Sequence, residues 1–223
     1  NAEVAINNNT ISGHSGGHSI TITQGAFANI KSNIITGSSG YSAVVISRGS
    51  SANIVSNTIQ SAYNGISVQD SSHAILKYNT LNNNSKNGLY VSNNASVILA
   101  EGNTFSNNTV FGIQMHNGGN LNMWCDEQLT SPTTISGNTG GTIQFGHGVS
   151  AKLCNLTLSS PTGGIDVGRG AALYMSNITI TNSQKKGLGL WGATAIIDNA
   201  TITGSTEEGI KISNGGMLEI SNS

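Results

Sequence analysis

One stretch recurs along this chain and constrains its fold more than any other feature. Residues 52–68, ANIVSNTIQSAYNGISV, return in altered form eight more times. The apolar residue that closes each N-T-I-like tripeptide falls at Ile11, Ile35, Ile59, Leu81, Phe105, Ile135, Leu158, Ile180 and Ile202, in steps of 24, 24, 22, 24, 30, 23, 22 and 22 residues. The first apolar residue of each G-I-x-V-like segment falls at Ile20, Val44, Ile66, Leu89, Ile113, Ile143, Ile165, Leu188 and Ile210, in steps of 24, 22, 23, 24, 30, 22, 23 and 22. Two markers that drift together define a true repeat, and a period in this range means a solenoid or array.

Within a unit the apolar pattern has period two. Ala52 and Ile54 flank Asn53, and Ile66 and Val68 flank Ser67. Period two means strands, and the Asn, Gly and Ser between them suit tight turns. Each unit therefore holds three short strands, one ending near Ile54, one at Thr58 and Ile59, one from Ile66 to Val68. No segment carries helical periodicity long enough to compete, and the leucine and asparagine spacing of leucine-rich repeats is missing. The expected fold is all-β: a parallel β-helix solenoid of about nine to ten coils, each of 22–24 residues apart from one of 30. At roughly 4.8 Å per coil it makes a rod of roughly 40 Å.

The residues that carry this reading, N-T-I followed by G-I-x-V at coil spacing, resemble the right-handed parallel β-helix family, the pectate-lyase-like superfamily, over the whole chain. The resemblance implies that the strand through Ile54 belongs to the second sheet, Thr58 and Ile59 to the third, and Ile66 to Val68 to the first. It also implies that binding or catalytic groups stand on the outside of the first sheet.

Composition narrows the partners. Charged residues make up 9% of the chain and the net charge is −1, so no basic surface argues for nucleic acid. No run reaches the roughly 18 apolar residues of a membrane span. The chain begins and ends in second-sheet strands (Val4 and Ile6, then Leu218 and Ile220) and starts at Asn1 without Met. Residues 1–223 are expected to form a single β-helix domain, a segment of a longer protein with flanking-domain or end-to-end contacts at its open ends. Cys125 and Cys154 lie just after second-sheet strands in adjacent coils. They are either a disulfide, whose usual Cα separation of about 5.5 Å fits neighbouring coils, or two buried thiols. Seven N-x-S/T sequons occur, at Asn8, Asn83, Asn94, Asn107, Asn155, Asn177 and Asn199; an Asn-, Ser- and Thr-rich chain of this length gives about that number by chance.

Asn33, Asn57, Asn79 and Asn103 stand two residues before the apolar closers, with the parity of inward positions. Buried amides must be bonded, so these four are expected to form a structural asparagine ladder. After the 30-residue coil, Asn155, Asn177 and Asn199 come one residue earlier, and Leu156, Ile178 and Ala200 take the inward slot. The long coil holds the least repetitive segment, Met123, Trp124, Cys125, Asp126, Glu127 and Gln128, read as a loop bulging after the second sheet. Lys185 and Lys186 stand one coil from Glu207 and Glu208, a spacing that suggests a stacked ion-pair ladder on the surface, with a substrate-binding lysine pair as the alternative.

Outward positions of the first sheet and its following turn bring Tyr90, Gln114, His116, Gln144, His147, Asp166, Arg169 and Trp191 into one strip. Amides that bond hydroxyls and rings that stack on pyranose faces suit sugar, and the candidate substrate-binding residues are Tyr90, Gln114, His116, Gln144, Asp166 and Trp191. The resemblance implies lyases with clustered acids for calcium, hydrolases with paired aspartates and Gly-His-Gly, or epimerases with Asp-Pro-His-Asp. Asp166 is the only carboxylate of the central strip, too few for calcium or for glycoside hydrolysis. Gly146, His147 and Gly148 follow the strand instead of opening it, and neither Pro132 nor Pro161 lies in an epimerase signature. The remaining catalytic candidates are His116 and His147 as an acid–base pair, with Asp166 and with Arg169 neutralising a uronate. His14, His18 and His73 are isolated, so no metal or other cofactor is expected.

Three functions follow. The leading one is a secreted or cell-surface β-helix segment of an adhesin or fibre protein, non-catalytic, contacting polysaccharide through its first sheet. The second is a lyase or epimerase acting on uronate-rich polymer, and the third a structural spacer that binds nothing on that face.

Overall fold

The computed structural model describes residues 3–125, 131–159 and 162–223. Asp126, Glu127, Gln128 and Pro161 lie outside the described residues. Among the described residues nine strands stack in parallel as the first sheet: Ile20–Ile22, Val44–Ile46, Asn64–Val68, Asn87–Val91, Phe111–Met115, Gly141–Phe145, Ile165–Val167, Leu188–Trp191 and Ile210–Ser213. The closers Ile59, Leu81, Phe105, Ile135, Leu158, Ile180 and Ile202 are successive cross-strand neighbours, each one coil from the next. Every pairing is parallel, and no helix is present among the described residues. The chain is a parallel β-solenoid of about nine turns, as the repeat predicts. The wall contains inward aliphatics and the rings of Phe105 and Phe145, with Ile30, Ile54, Ile59, Ile66, Leu81 and Leu89 also fully buried. Each contributes about 1.5–3 kcal/mol.

In the early coils the second and third sheets are separate strands, for example Ser51–Val55 and Thr58–Gln60. Between them Ser56 takes a left-handed conformation (φ 56°) and turns Asn57 inward. Asn57 Nδ2 donates to the Ile30 and Val55 carbonyls at 2.9 and 3.0 Å and to Asn79 Oδ1 at 3.0 Å, and the Asn57 backbone N–H donates to the same Oδ1 at 3.0 Å. Asn33 and Asn79 repeat this pattern, and Asn103 receives the last of these bonds. Asn9 adds a further rung below, its N–H donating to Asn33 Oδ1 at 2.9 Å.

The next coil places buried Thr133 in the slot beside Asn103, and its shorter hydroxyl has no hydrogen-bond partner among the described residues. Beyond it the slot is apolar, filled by Leu156, Ile178 and Ala200, which pair in register. There the second and third sheets merge into single ten-residue strands, Ser150–Ser159, Ala172–Thr181 and Thr194–Thr203. Asn155, Asn177 and Asn199 keep the left-handed bend (φ 51°, 54° and 56°) and now bond one another on the outside. All seven sequon asparagines hold such left-handed bends. The sequon is thus a by-product of the register: a bend asparagine, an inward residue, then an outward Thr or Ser.

Cys125 and Cys154 form a disulfide with Cα atoms 5.2 Å apart, tying the long coil to its successor. The expected Lys–Glu ladder does not form. The two turns do stack, Gly187 N–H donating to the Glu208 carbonyl at 3.1 Å. But Lys186 pairs instead with Asp166 at 3.1 Å, and Glu208 with Lys211 at 2.8 Å. The cause is Gly189, whose missing side chain leaves a channel for the Lys186 stem: a Cβ there would lie 2.4 Å from Lys186 Cε.

Two stability experiments test this packing. Asn79→Ala strands the Asn57 N–H and the Ile54 and Lys77 carbonyls, so denaturant unfolding should show a loss of about 2–4 kcal/mol; a change under about 0.5 kcal/mol would contradict the buried ladder. Cys125→Ser with Cys154→Ser opens a loop closed over a sequence separation of 29. The chain-entropy estimate sets the loss at up to about 3–4 kcal/mol, seen as a lower thermal midpoint, and an unchanged midpoint would contradict the crosslink.

Candidate binding cleft

The outward face of the first sheet is not uniformly covered. One column, read coil by coil, runs His116, Gly146, Gly168 and Trp191. The backbone stacks these positions directly, with Gly146 N–H donating to the Met115 carbonyl and Gly168 N–H to the Phe145 carbonyl, both at 2.7 Å. Two adjacent side chains are therefore missing between a histidine and a tryptophan. The gap is a cleft of about 400 Å³ whose lining includes Gln144, His147, Asp166 and Lys186. His116 leans over the glycine floor, and a Cβ on Gly146 would sit 2.3 Å from His116 Nδ1. Trp191 closes the other end, 43% exposed, with the Lys186 ammonium 5.2 Å from its ring centroid.

The strip inferred from alternation is thus split by the structure. His116, Gln144, His147, Asp166 and Trp191 line the cleft. Gln114 sits beside it, its Nε2 donating to Gln144 Oε1 at 2.7 Å while its Oε1 accepts from Asn87 Nδ2 at 2.9 Å. Tyr90 stands behind His116, ring centroids 6.1 Å apart. Arg169 does not line the cleft; its stem lies against Gly192 on the exposed turn, so the proposed neutralising arginine is absent from this site. The lining cation is Lys186, which charge-ladder reasoning assigned elsewhere. Its signal was Gly189 in the outward column, a gap that a long side chain from the preceding turn crosses.

Electrostatics set what the cleft offers. Partial burial, then the positive charges of Lys86 and His147, hold the His116 pKa below its ordinary 6.5. The ring is neutral at pH 7 and presents one donor and one acceptor. Among the described residues Asp166 is the one carboxylate of the lining, and it lies 3.1 Å from the Lys186 ammonium as an ion pair. Gln144 contributes a planar amide. Among the described residues no group of three or more His, Cys, Asp or Glu side chains is placed to hold a metal ion.

Amide columns missed by parity reasoning hold this face in place. Asn84, Asn108 and Asn138 form a second buried ladder, Asn84 Nδ2 and Asn108 Nδ2 each donating to the next Oδ1 at 2.9 Å. Their signal is the same 24- and 30-residue spacing, three residues after Leu81, Phe105 and Ile135. They explain the glycine of G-I-x-V: a Cβ on Gly88 would come 3.1 Å from Asn108 Nδ2 and 2.8 Å from the Gly112 carbonyl.

The field at His116 is testable. Lys86→Gln removes a nearby positive charge, so protonation becomes easier and the His116 pKa rises toward 6.5. NMR titration of the imidazole carbon-bound protons reads the shift directly; an unmoved or lowered value would contradict the geometry.

A family model for the right handed beta helix region matches residues 1–128. Among solved structures, the catalytic unit of a thermostable GH87 alpha-1,3-glucanase from Streptomyces thermodiastaticus strain HF3-3 is 15% identical, with 98% of this chain and 63% of that one covered and a TM-score of 0.35. The Agl-KA catalytic domain is 13% identical over 97% of this chain and 62% of that one, TM-score 0.32. The TibC-catalyzed hyper-glycosylated TibA fragment is 13% identical over 98% and 97%, TM-score 0.26. The chain spans less than two thirds of the two catalytic units, and at these identities and TM-scores the likeness says nothing of activity. No curated protein matches. The family match covers more than half of the sequence, so the chain belongs to the right-handed β-helix family.

Proposed function

We propose that this chain is an extracellular, saccharide-binding β-helix segment of a surface or fibre protein, whose first-sheet cleft holds polysaccharide without cleaving it. The observation that carries this is the glycine-floored gap between His116 and Trp191. An exposed indole supplies a stacking face for a pyranose ring. Neutral His116, the Gln144 amide and the Lys186–Asp166 pair supply donors and acceptors for hydroxyls. The Cys125–Cys154 disulfide favours an oxidising, extracytoplasmic compartment. Against hydrolysis stands the carboxylate count: glycoside cleavage takes two carboxyl groups flanking the bond, and among the described residues the lining holds Asp166 alone.

A second reading, a lyase or epimerase, is favoured by one observation. His116 and His147 both line the cleft, and a neutral imidazole is a competent base near pH 7. A panel of neutral and acidic polysaccharides, assayed for retention and for unsaturated or epimerised product, separates the readings. Binding without product, weakened at least tenfold in Trp191→Ala, is the expected result. Product lost in His147→Ala would replace it with the enzyme, and neither binding nor product would leave a spacer.

A further inference from the structure

A second rank of rings runs up the N-terminal half of the rod, on the turn that leads into the first sheet. Its backbone is stacked coil on coil: Tyr63 N–H donates to the Tyr41 carbonyl at 2.9 Å, Lys86 N–H to the Tyr63 carbonyl at 2.8 Å, and Val110 N–H to the Lys86 carbonyl at 2.7 Å. Tyr41 and Tyr63 are 40% and 38% exposed, well beyond what a packing role needs. His18 meets Tyr41 edge to face at 5.5 Å. The Lys86 ammonium lies 4.9 Å from the Tyr63 ring and 6.0 Å from that of Tyr90. Tyr90 in turn stands 6.1 Å from His116, the wall of the cleft. The contacts thus lead from Tyr63 through Lys86 and Tyr90 to the cleft, while Tyr41 sits one coil below in the same column.

The rest of that face suits a long ligand. Beside the rings, the outward Val45 and Ser67 are 7% and 0% exposed, so what a ligand meets there is the groups that cover them, such as the Gln69 amide, which donates to Ser67 Oγ at 2.6 Å. From Tyr41 to Trp191 is six coil steps, about 29 Å at the strand spacing of roughly 4.8 Å. Among the described residues Lys86 pairs with no carboxylate, so its ammonium is free to donate to a ligand oxygen. Aromatic residues exposed in a row at coil spacing, with a donor between them, fit a polymer of pyranose rings running along the rod axis. They do not fit a single small sugar, which would occupy one position only.

Resting on the saccharide-binding reading of the cleft, we infer that Tyr41, Tyr63, Lys86 and Tyr90 form an extended binding track, so that the chain selects long polysaccharide over short oligosaccharide. The cleft binds one end of the bound stretch and the track the remainder.

The test is a glycan array carrying each sugar at short and long chain lengths, two and ten units, probed with the full chain. The decamer of a bound sugar should be held at least tenfold more tightly than its dimer. Tyr63→Ala and Lys86→Gln should lower decamer affinity several-fold and leave dimer affinity unchanged, whereas Trp191→Ala should weaken both. Retained thermal midpoints show that the variants fold. Equal affinity for dimer and decamer, or a decamer affinity indifferent to Tyr63→Ala, overturns the track while the cleft stands. No binding to any glycan overturns both.

Discussion

A parallel coil has no hairpin to fix its register, so something inside the rod must tell each turn where to sit on the last. In this chain that role falls to buried carboxamides. Each ladder asparagine accepts both the backbone N–H and the side-chain amide of the asparagine one coil below, and donates to carbonyls of that coil and of its own. A slip of one residue would leave several buried polar groups unpaired at about 1–3 kcal/mol each. Hydrophobic burial supplies the gross stabilisation but discriminates poorly between Ile, Leu and Val at matched slots. The amides supply the discrimination, and the outward columns inherit their alignment from them.

The candidate site lies where this arrangement changes. Up to Asn103 the wall is bent by an inward amide; from Leu156 onward the slot is apolar and two sheets run together as ten-residue strands. The changeover coil is the long one, and a disulfide binds it to the next. Across these same coils the first sheet loses two outward side chains, at Gly146 and Gly168, and gains the Lys186–Asp166 pair over Gly189. A regular rod with small or buried outward residues thus passes into an excavated segment. Relief on a solenoid surface is made by subtraction as much as by addition, since the backbone ladder continues undisturbed beneath the glycines.

The fold was legible in the sequence because its determinants are local and repeated. Period two, the step of 22–24 residues and the small residues at bends each reappear often enough to be read without an alignment. The inward parity of Asn33, Asn57, Asn79 and Asn103 follows from the same count. What could not be read is the path of long side chains. Lys186 crosses to Asp166 instead of meeting Glu208, and the Arg169 stem lies against Gly192 outside the cleft lining, because neighbouring glycines leave room where a flexible stem can lie. The second amide ladder, Asn84, Asn108 and Asn138, carried a readable spacing, but it sits in a turn where alternation gives no inside or outside. The cleft itself is a pattern of absences, and an absence in one column stands out only once the columns are aligned.

Buried amides lock the register of the coils, and hydrogen exchange of the carboxamide protons reads that lock at the atoms that make it. The side-chain NH2 groups of Asn57 and Asn79 are each shared between backbone carbonyls and the next asparagine, so they should exchange only through opening of the surrounding coils. Their rates should match those of the slowest backbone amides of the same coils and lie orders of magnitude below those of exposed Asn117. Exchange of Asn57 and Asn79 as fast as Asn117 under conditions where the backbone stays protected would show that the amides do not hold the register.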